Sequence, residues 1–400
     1  MSARVILGVG AGIAAYRACE LLRLLTESGY RVRVVPTPDA LRFVGEATWA
    51  ALSGEPVTTD AWSDVSEVPH VRLGQSADLV LVAPATADLL ARAAAGMAGD
   101  LLTATLLTAR CPVMYAPAMH TEMWEHPATQ ANVSLLRSRR AIVLEPAVGR
   151  LTGADSGAGR LPDPDEIFLV ATRLLARGRL SPDLAGRKVV VSAGGTREEL
   201  DPVRFIGNWS TGMQGYALAR TAAARGAEVR LVAANVALAD PAGVKVTRVV
   251  SAREMRDAVV AAAADADAVV MAAAVADYRP EARSAAKIKK DGQPPAPLRL
   301  VENPDILAGL AAQRGPGRRH PVLVGFAAET DTSEQAARAK LARKGCDLLV
   351  VNPVGHGLGF GTPDNEAVIY GADGTATPIP RGPKEVLADV VWDLAAANLR

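Results

Sequence analysis

The chain has 400 residues, which at roughly 150 residues per domain predicts two or three domains. Its 44 Lys plus Arg against 43 Asp plus Glu leave a formal charge of +1, which excludes a general polyanion binder built on excess basic residues. Aromatic residues at 4% offer few stacking platforms for single-stranded nucleic acid, while 49% hydrophobic residues suffice for a sizeable core. Cys19, Cys111 and Cys346 are odd in number and lack CxxC spacing, which argues against a disulfide framework or structural zinc and predicts a reducing compartment. No apolar run reaches the roughly 18 residues that span a bilayer, and the opening residues lack a signal peptide's apolar stretch. The expectation is a cytoplasmic protein with no membrane or nucleic-acid partner.

Residues 5–9 form a short apolar run ending among Gly8, Gly10 and Gly12, which reads as a first strand. A helical pattern follows, with Ile13, Tyr16, Cys19, Leu22 and Leu25 at three-residue spacing, and Gly29 stops it. Further strands are predicted at 32–35, 79–83, 113–115 and 142–144. Apolar strands alternating with helices predict a parallel sheet covered on both faces. The polar segment 177–186 places a domain boundary near 180. Beyond it the pattern restarts with strands at 188–192, 228–232, 269–273, 322–325 and 348–351, and a helix from about Gly212. Residues 284–298, charged and with three prolines, read as a mobile surface loop.

Gly10-Ala11-Gly12-Ile13-Ala14-Ala15 matches the GxGxxA pattern, in which small residues let amides at a helix N-terminus approach a phosphate. An NAD site calls for an acidic residue at the end of the second strand. Here that strand ends Val34-Val35-Pro36-Thr37-Pro38, and Thr37 offers a hydroxyl suited to a phosphate oxygen. A mononucleotide such as FMN fits better, and a tight turn without ligand stays open. The third and fourth strands run into Ala83-Pro84-Ala85-Thr86 and Ala116-Pro117-Ala118-Met119-His120. Prolines at both exits cannot extend the ladder and fix rigid turns that suit the walls of a flat ring. His70 lies between two helical segments, and a lone histidine there reads first as a surface or satisfied structural residue. No histidine pair has metal-ligand spacing.

In the second half, Ser192-Ala193-Gly194-Gly195-Thr196-Arg197 follows a strand and Asn208-Trp209-Ser210-Thr211-Gly212 precedes a helix. Two such amide-rich turns would form a polyphosphate nest, although a Walker A loop is absent. Lys287, Lys289 and Lys290 form a basic cluster. Lys340 and Lys344 share one helical face. Each group reads either as a solvated face or as a phosphate clamp.

Taken together, these motifs resemble the bacterial bifunctional family of coenzyme A biosynthesis, a phosphopantothenoylcysteine decarboxylase fused to a phosphopantothenate–cysteine ligase. The resemblance spans nearly the whole chain. Its most specific blocks are Asp201-Pro202-Val203-Arg204-Phe205-Ile206-Gly207-Asn208 and Ala272-Ala273-Ala274-Val275-Ala276-Asp277-Tyr278. Pro69-His70-Val71, Lys287-Ile288-Lys289-Lys290, Asn303-Pro304-Asp305-Ile306 and Gly325-Phe326-Ala327 add to them.

The resemblance implies an α/β chain of two three-layer domains. Residues 1–179 would be a flavodoxin-like FMN-dependent decarboxylase, and 180–400 a Rossmann-like CTP-dependent ligase. It assigns Gly10, Gly12, Ile13, Thr37, Pro84, Ala85 and Thr86 to FMN, His70 to catalysis, and Pro117, Ala118 and Met119 to substrate. In the second half, Asn208 would serve the acyl-cytidylate, with Arg204 in the same motif. CTP would contact Met271, Ala272, Ala273, Asp277, Lys287, Pro304, Asp305, Ile306, Leu307, Phe326, Lys340 and Lys344, with Lys287 catalytic and Asp277 a Mg²⁺ ligand. Homo-oligomers are implied as well, with trimeric decarboxylase and dimeric ligase contacts combining into an assembly as large as a dodecamer.

The chain departs from the family pattern in four places. Gly10-Ala11-Gly12 stands where many relatives have Ser-Gly-Gly, His120 replaces an asparagine, and Met213 replaces a lysine. The segment Leu151-Thr152-Gly153-Ala154-Asp155 lacks the family's proton-donating cysteine, leaving His120, Asp155 or water for that proton. An active ligase carrying a catalytically impaired flavin scaffold is therefore the alternative reading. An NAD(P)-dependent oxidoreductase is a third, against which Thr37 argues.

Overall fold

The computed structural model describes residues 2–57, 59, 68–151, 155–177, 183–289, 297–315, 320–330, 333–355, 359 and 361–399. The chain divides into two compact units, Met1–Pro182 and Asp183–Arg400. Residues 178–182 of the expected linker lie outside the described residues, as do 152–154, 290–296 and Lys290.

The first unit is a five-stranded parallel sheet of β1 (Arg4–Val9), β2 (Arg31–Pro36), β3 (Leu79–Ala85), β4 (Val113–Pro117) and β5 (Ile142–Val143), in the order β2-β1-β3-β4-β5. All seven residues of β3 are buried, as expected for a central strand covered on both faces. One face packs Ile6, Val80 and Val82 against Leu89, Leu101 and Leu136 from three helices. An antiparallel hairpin, β6 (Ala147–Arg150) with β7 (Ser156–Arg160), follows β5.

Two expectations are corrected here. The first helix is Ala15–Glu27 and buries Ala15, Ala18, Leu21, Leu22 and Leu25. Leu22 and Leu25 of the expected stripe are buried, but Ile13, which precedes the helix, and Tyr16 are 70% and 58% exposed, because Ala15, Ala18 and Leu21 fill the buried face at that end. Pro84 lies inside β3 rather than beyond it, at an irregularity between Val82 and Ala85, after which Ala85 pairs with Pro117. The missing N–H is absorbed by that local break in register.

The second unit holds an eight-stranded sheet. Its strands are β8 (Lys188–Gly194), β11 (Glu228–Ala234), β12 (Val244–Val249), β13 (Ala268–Met271), β16 (Val322–Glu329), β17 (Leu348–Pro353), β18 (Asp364–Gly371) and β19 (Ala376–Pro383). They run in the order β12-β11-β8-β13-β16-β17-β18-β19, six parallel and the last two antiparallel. Val189 and Val191 face one core, with Tyr216 and Trp392 from helices Met213–Ala224 and Lys384–Asn398. Val190 faces the other, with Met255, Leu307 and Leu341. Period-two alternation thus builds three layers. Two ribbons, β9 (Arg197–Glu199) with β10 (Phe205–Gly207) and β14 (Tyr278–Pro280) with β15 (Leu300–Glu302), complete the unit. No described helix is long and apolar enough to cross a membrane.

Candidate functional sites

In the first unit the strand order changes direction between β1 and β3, which opens a crevice at their carboxyl ends. The Gly10 N–H donates to the Pro84 carbonyl at 3.0 Å across that point. A Cβ on Gly10 would lie 2.6 Å from the same oxygen, so glycine is what permits the approach. Thr86 caps helix Ala87–Ala95 by accepting the Leu89 N–H at 3.3 Å. At the end of β2 the Thr37 N–H donates to Val9, 2.9 Å away. The Thr37 hydroxyl is buried without a hydrogen-bond partner. A buried hydroxyl that bonds to nothing in the protein fits a ligand oxygen, so these residues suit a phosphate.

The turn Pro117-Ala118-Met119 is held from two sides. The Ala118 N–H donates to Ala85 at 3.0 Å, and the Met119 N–H donates to Gly159 of β7 at 2.9 Å. His120 is exposed and precedes helix Thr121–Glu125 with no side-chain capping bond. His70 sits in the first turn of helix Pro69–Ser76, not between helices. Its carbonyl accepts the Thr108 hydroxyl at 2.7 Å, and its Nδ1 is buried without a partner. Sequence reasoning missed Thr121, whose hydroxyl is also buried and unpartnered against Gly157 of the hairpin. Asp155 is exposed, and its carbonyl accepts the Leu151 N–H at 2.8 Å.

The second unit contains a cavity of about 630 Å³ at the carboxyl ends of β13 and β16. Asn208, Met271, Ala273, Asp277, Pro304, Asp305, Ile306, Leu307, Phe326, Lys340 and Lys344 all line it. Residues from five separate stretches of sequence are thereby brought to one wall. Lys340 pairs with Glu329 at 2.5 Å and Lys344 with Asp305 at 2.6 Å. Burial pushes the Asp305 carboxyl up, but the Lys344 ammonium and the Ala308 N–H outweigh it and hold it below the usual range. Asp305 also caps helix Ile306–Arg314.

Ala272 lines an adjoining pocket of about 100 Å³ rather than the cavity itself. Lys287 and Arg204 do not line the cavity. Lys287 is exposed, and Arg204 is bound to Asp201 at 2.8 Å. Burial opposes the Asp201 charge, yet backbone N–H groups of Val203, Ile288 and Arg204, with the Arg204 guanidinium, bring its carboxyl down to about 2. Within the expected mobile loop two points are anchored: Ser284 N–H donates to Leu200 at 2.9 Å and Ile288 N–H to Asp201 at 3.1 Å.

The two amide-rich turns meet. A Cβ on Gly195 would come within 2.8 Å of the Asn208 carbonyl, and one on Gly212 within 3.4 Å of the Gly194 nitrogen. The adjoining pocket opens beside them, lined by Ser210, Thr211, Gly212, Asn352 and Lys384. Lys384 is 4% exposed and donates to the carbonyls of Gly359 and Asp364 at 3.3 and 3.0 Å. Burial lowers its pKa, with Asp364 and Glu385 opposing. Sequence reasoning missed Lys384 because it stands far along the chain in no motif. Among the described residues no group of three or more His, Cys, Asp or Glu could hold a metal. Asp277 offers a carboxylate on the cavity wall, as do Glu302 and Asp305, of the kind Mg²⁺ uses when phosphates supply its other ligands.

Residues 1–175 match the Flavoprotein family, and 184–399 match the family described as DNA/pantothenate metabolism flavoprotein C-terminal domain. The chain is 60% identical over 398 residues to the coenzyme A biosynthesis bifunctional protein CoaBC of Mycobacterium tuberculosis (strain ATCC 25618 / H37Rv), covering 98% of this chain and 95% of that protein. Against the protein of that name from Bacillus subtilis (strain 168), it is 42% identical over 400 residues, covering 98% and 97%. A crystal structure of the C-terminal domain of a CoaBC protein is 34% identical, with TM-score 0.46, over 55% of this chain and 98% of that one. The chain belongs to the CoaBC family of bifunctional coenzyme A biosynthesis proteins.

Proposed function

We propose that the chain catalyses two consecutive steps. Unit 2, taken as residues 180–400, joins 4′-phosphopantothenate to cysteine at the expense of CTP. Unit 1, taken as 1–179, then decarboxylates 4′-phosphopantothenoylcysteine to 4′-phosphopantetheine with FMN. The observation that carries this reading is that similarity to bifunctional relatives runs unbroken across both units. The sheet order of the first unit supports a flavodoxin-like fold, and the turn at β8 followed by helix Met213–Ala224 supports a Rossmann-like second unit.

When bound, FMN supplies reversible hydride chemistry at the cysteinyl moiety. Gly10 and Gly12 give backbone access to its phosphate, with Ile13 beside them, and the Thr37 hydroxyl supplies a donor. Pro84, Ala85 and Thr86 form one rigid wall, while Pro117, Ala118 and Met119 hold the substrate. His70, through its unpartnered Nδ1, holds or moves a proton at the reacting group.

In the ligase the pantothenate carboxylate attacks the α-phosphorus of CTP. Pyrophosphate leaves, and the cysteine amine then displaces CMP from the acyl-cytidylate. Lys340 and Lys344 exchange their carboxylate partners for nucleotide oxygens, while Lys287 adds positive charge. Asn208, whose Nδ2 donates to Ala274 at 3.2 Å, is fixed to orient the acyl group. The turns around Gly194 and Gly212 form the phosphate nest, and Asp277 would share with the phosphates the coordination of a Mg²⁺ that offsets their charge. Trp209, 88% exposed beside this cavity, supports a homo-oligomer that covers it.

The test is to give the purified protein 4′-phosphopantothenate, cysteine, CTP and Mg²⁺ and to follow products by mass. Accumulation of 4′-phosphopantetheine is expected. A halt at 4′-phosphopantothenoylcysteine would overturn the decarboxylase assignment, and no product would overturn both.

A further inference from the structure

We propose that Asp201 is a positioning residue of the ligase reaction, its buried carboxylate fastening the segment that carries Lys287 to the turn that carries Arg204. This rests on the reading of Lys287 as a group that meets the nucleotide.

Asp201 is 1% exposed. One carboxylate oxygen accepts the N–H groups of Val203 and Arg204, both at 2.8 Å. The other accepts Arg204 Nε at 3.0 Å and the Ile288 N–H at 3.1 Å. The Arg204 guanidinium in turn donates to the Ile288 carbonyl. Both backbone polar groups of Ile288 are therefore engaged by one ion pair, across 87 residues of sequence. Two further anchors lie beside it: Ser284 N–H to Leu200 at 2.9 Å, and Arg283 to Glu199 at 2.7 Å.

A carboxylate has about four acceptor positions, and here four donors occupy them. Asp201 has no lone pair left for a substrate or a metal, so its effect on the reaction passes through the groups it holds. An Asx turn alone would need only the donors at Val203 and Arg204; the bond to Ile288 goes beyond it. Lys287 is the residue immediately before Ile288, and it carries a long, exposed, flexible side chain. With its backbone fixed, less freedom remains to be lost when its ammonium engages an anion. The same turn leads through β10 to Asn208 at the cavity wall, so Asp201 sets the Lys287 segment relative to the strand that delivers Asn208.

The test is a double-mutant cycle in the full-length chain. Initial rates of pyrophosphate release are measured with CTP, 4′-phosphopantothenate and cysteine. Asp201→Asn keeps the size but replaces one acceptor oxygen with a donor. Misplacement of a charged group by about 1 Å costs on the order of a hundredfold, and a loss of that order in kcat is expected for Asp201→Asn and for Lys287→Ala. In the double variant no further loss is expected beyond that of Lys287→Ala. Decarboxylation of supplied 4′-phosphopantothenoylcysteine should stay at the parent rate. Amide exchange should rise at residues 283–288 while β8 stays protected.

If the two losses multiply, or if Asp201→Asn ligates at the parent rate, the proposal is overturned. Full activity of Lys287→Ala would instead overturn the nucleotide role of Lys287, whatever Asp201→Asn does. If β8 also loses protection in Asp201→Asn, Ile288→Pro removes the donor from the exposed side and leaves the buried carboxylate in place. Parent-like ligation by that variant would overturn the proposal, and a loss that vanishes in the Lys287→Ala background would support it.

Discussion

The Gly10 N–H and the Pro84 carbonyl oxygen lie 3.0 Å apart, tying the exits of β1 and β3 where the sheet changes direction. The tie depends on the bare α-carbon of Gly10, since a Cβ would come within 2.6 Å of its own hydrogen-bond acceptor. Gly10→Val is therefore expected to push the two turns apart. Overpacking of about 1–3 kcal/mol at such a site corresponds to a loss of flavin affinity of about 5-fold to about 150-fold. The flavin-to-protein absorbance ratio checks this, and CTP-dependent ligation by the second unit should persist.

Thr37 makes a complementary prediction. Its hydroxyl is buried and unpartnered, so in the flavin-free protein it carries a desolvation cost without a bond. Thr37→Val preserves the shape and removes that cost. The flavin-free variant should melt at or above the parent temperature, yet bind FMN about tenfold more weakly if the hydroxyl meets the phosphate. Unchanged FMN affinity in a titration would remove Thr37 from the site.

Lys384 is a buried cation held by two carbonyls beside the Ser210–Gly212 turn. Lys384→Met fills similar volume without charge. If the ammonium faces nucleotide phosphates, CTP affinity measured by calorimetry should fall by about tenfold or more, the scale of a charge-assisted hydrogen bond. The melting temperature should change little, because relief from burying a charge offsets the two carbonyls left without a donor.

Asp305 yields a pH prediction. Lys344 and the helix N–H hold its carboxyl below the ordinary value, so folding favours the charged form. That contribution is complete above the unfolded carboxylate value, near about 4. It is lost as pH falls through the lower folded value. Asp305→Asn keeps a good helix cap and removes the titration. Urea midpoints measured from about pH 6 to about pH 3 should fall less steeply for the variant. A parallel decline would show that the pair contributes nothing.

The alternating plan of both units was legible in the apolar runs, because a strand buried on both faces must be apolar along its length, as β3 and β13 are. Turn chemistry was legible as well: Gly10, Gly194 and Gly212 stand where backbones approach within van der Waals distance of one another. The helical stripe held at Leu22 and Leu25 and failed at Ile13 and Tyr16, because a strict three-residue spacing drifts around a helix of about 3.6 residues per turn. The edge strands β12 and β19 went unread, since their half-exposed patterns carry no continuous apolar run.

What the sequence by itself determined was local: strand and helix periods, small residues at turns, and a set of motifs specific enough to mark the family. Only the tertiary structure decided which polar groups meet. It brings Asp305 to Lys344 and Asp201 to Ile288 across tens of residues, and it leaves Lys287 outside the cavity wall that Lys340 and Lys344 line. The physical reason is range. Backbone preference acts over a few neighbouring residues, whereas a buried charge takes its partners from whatever the packed sheet and helices set beside it.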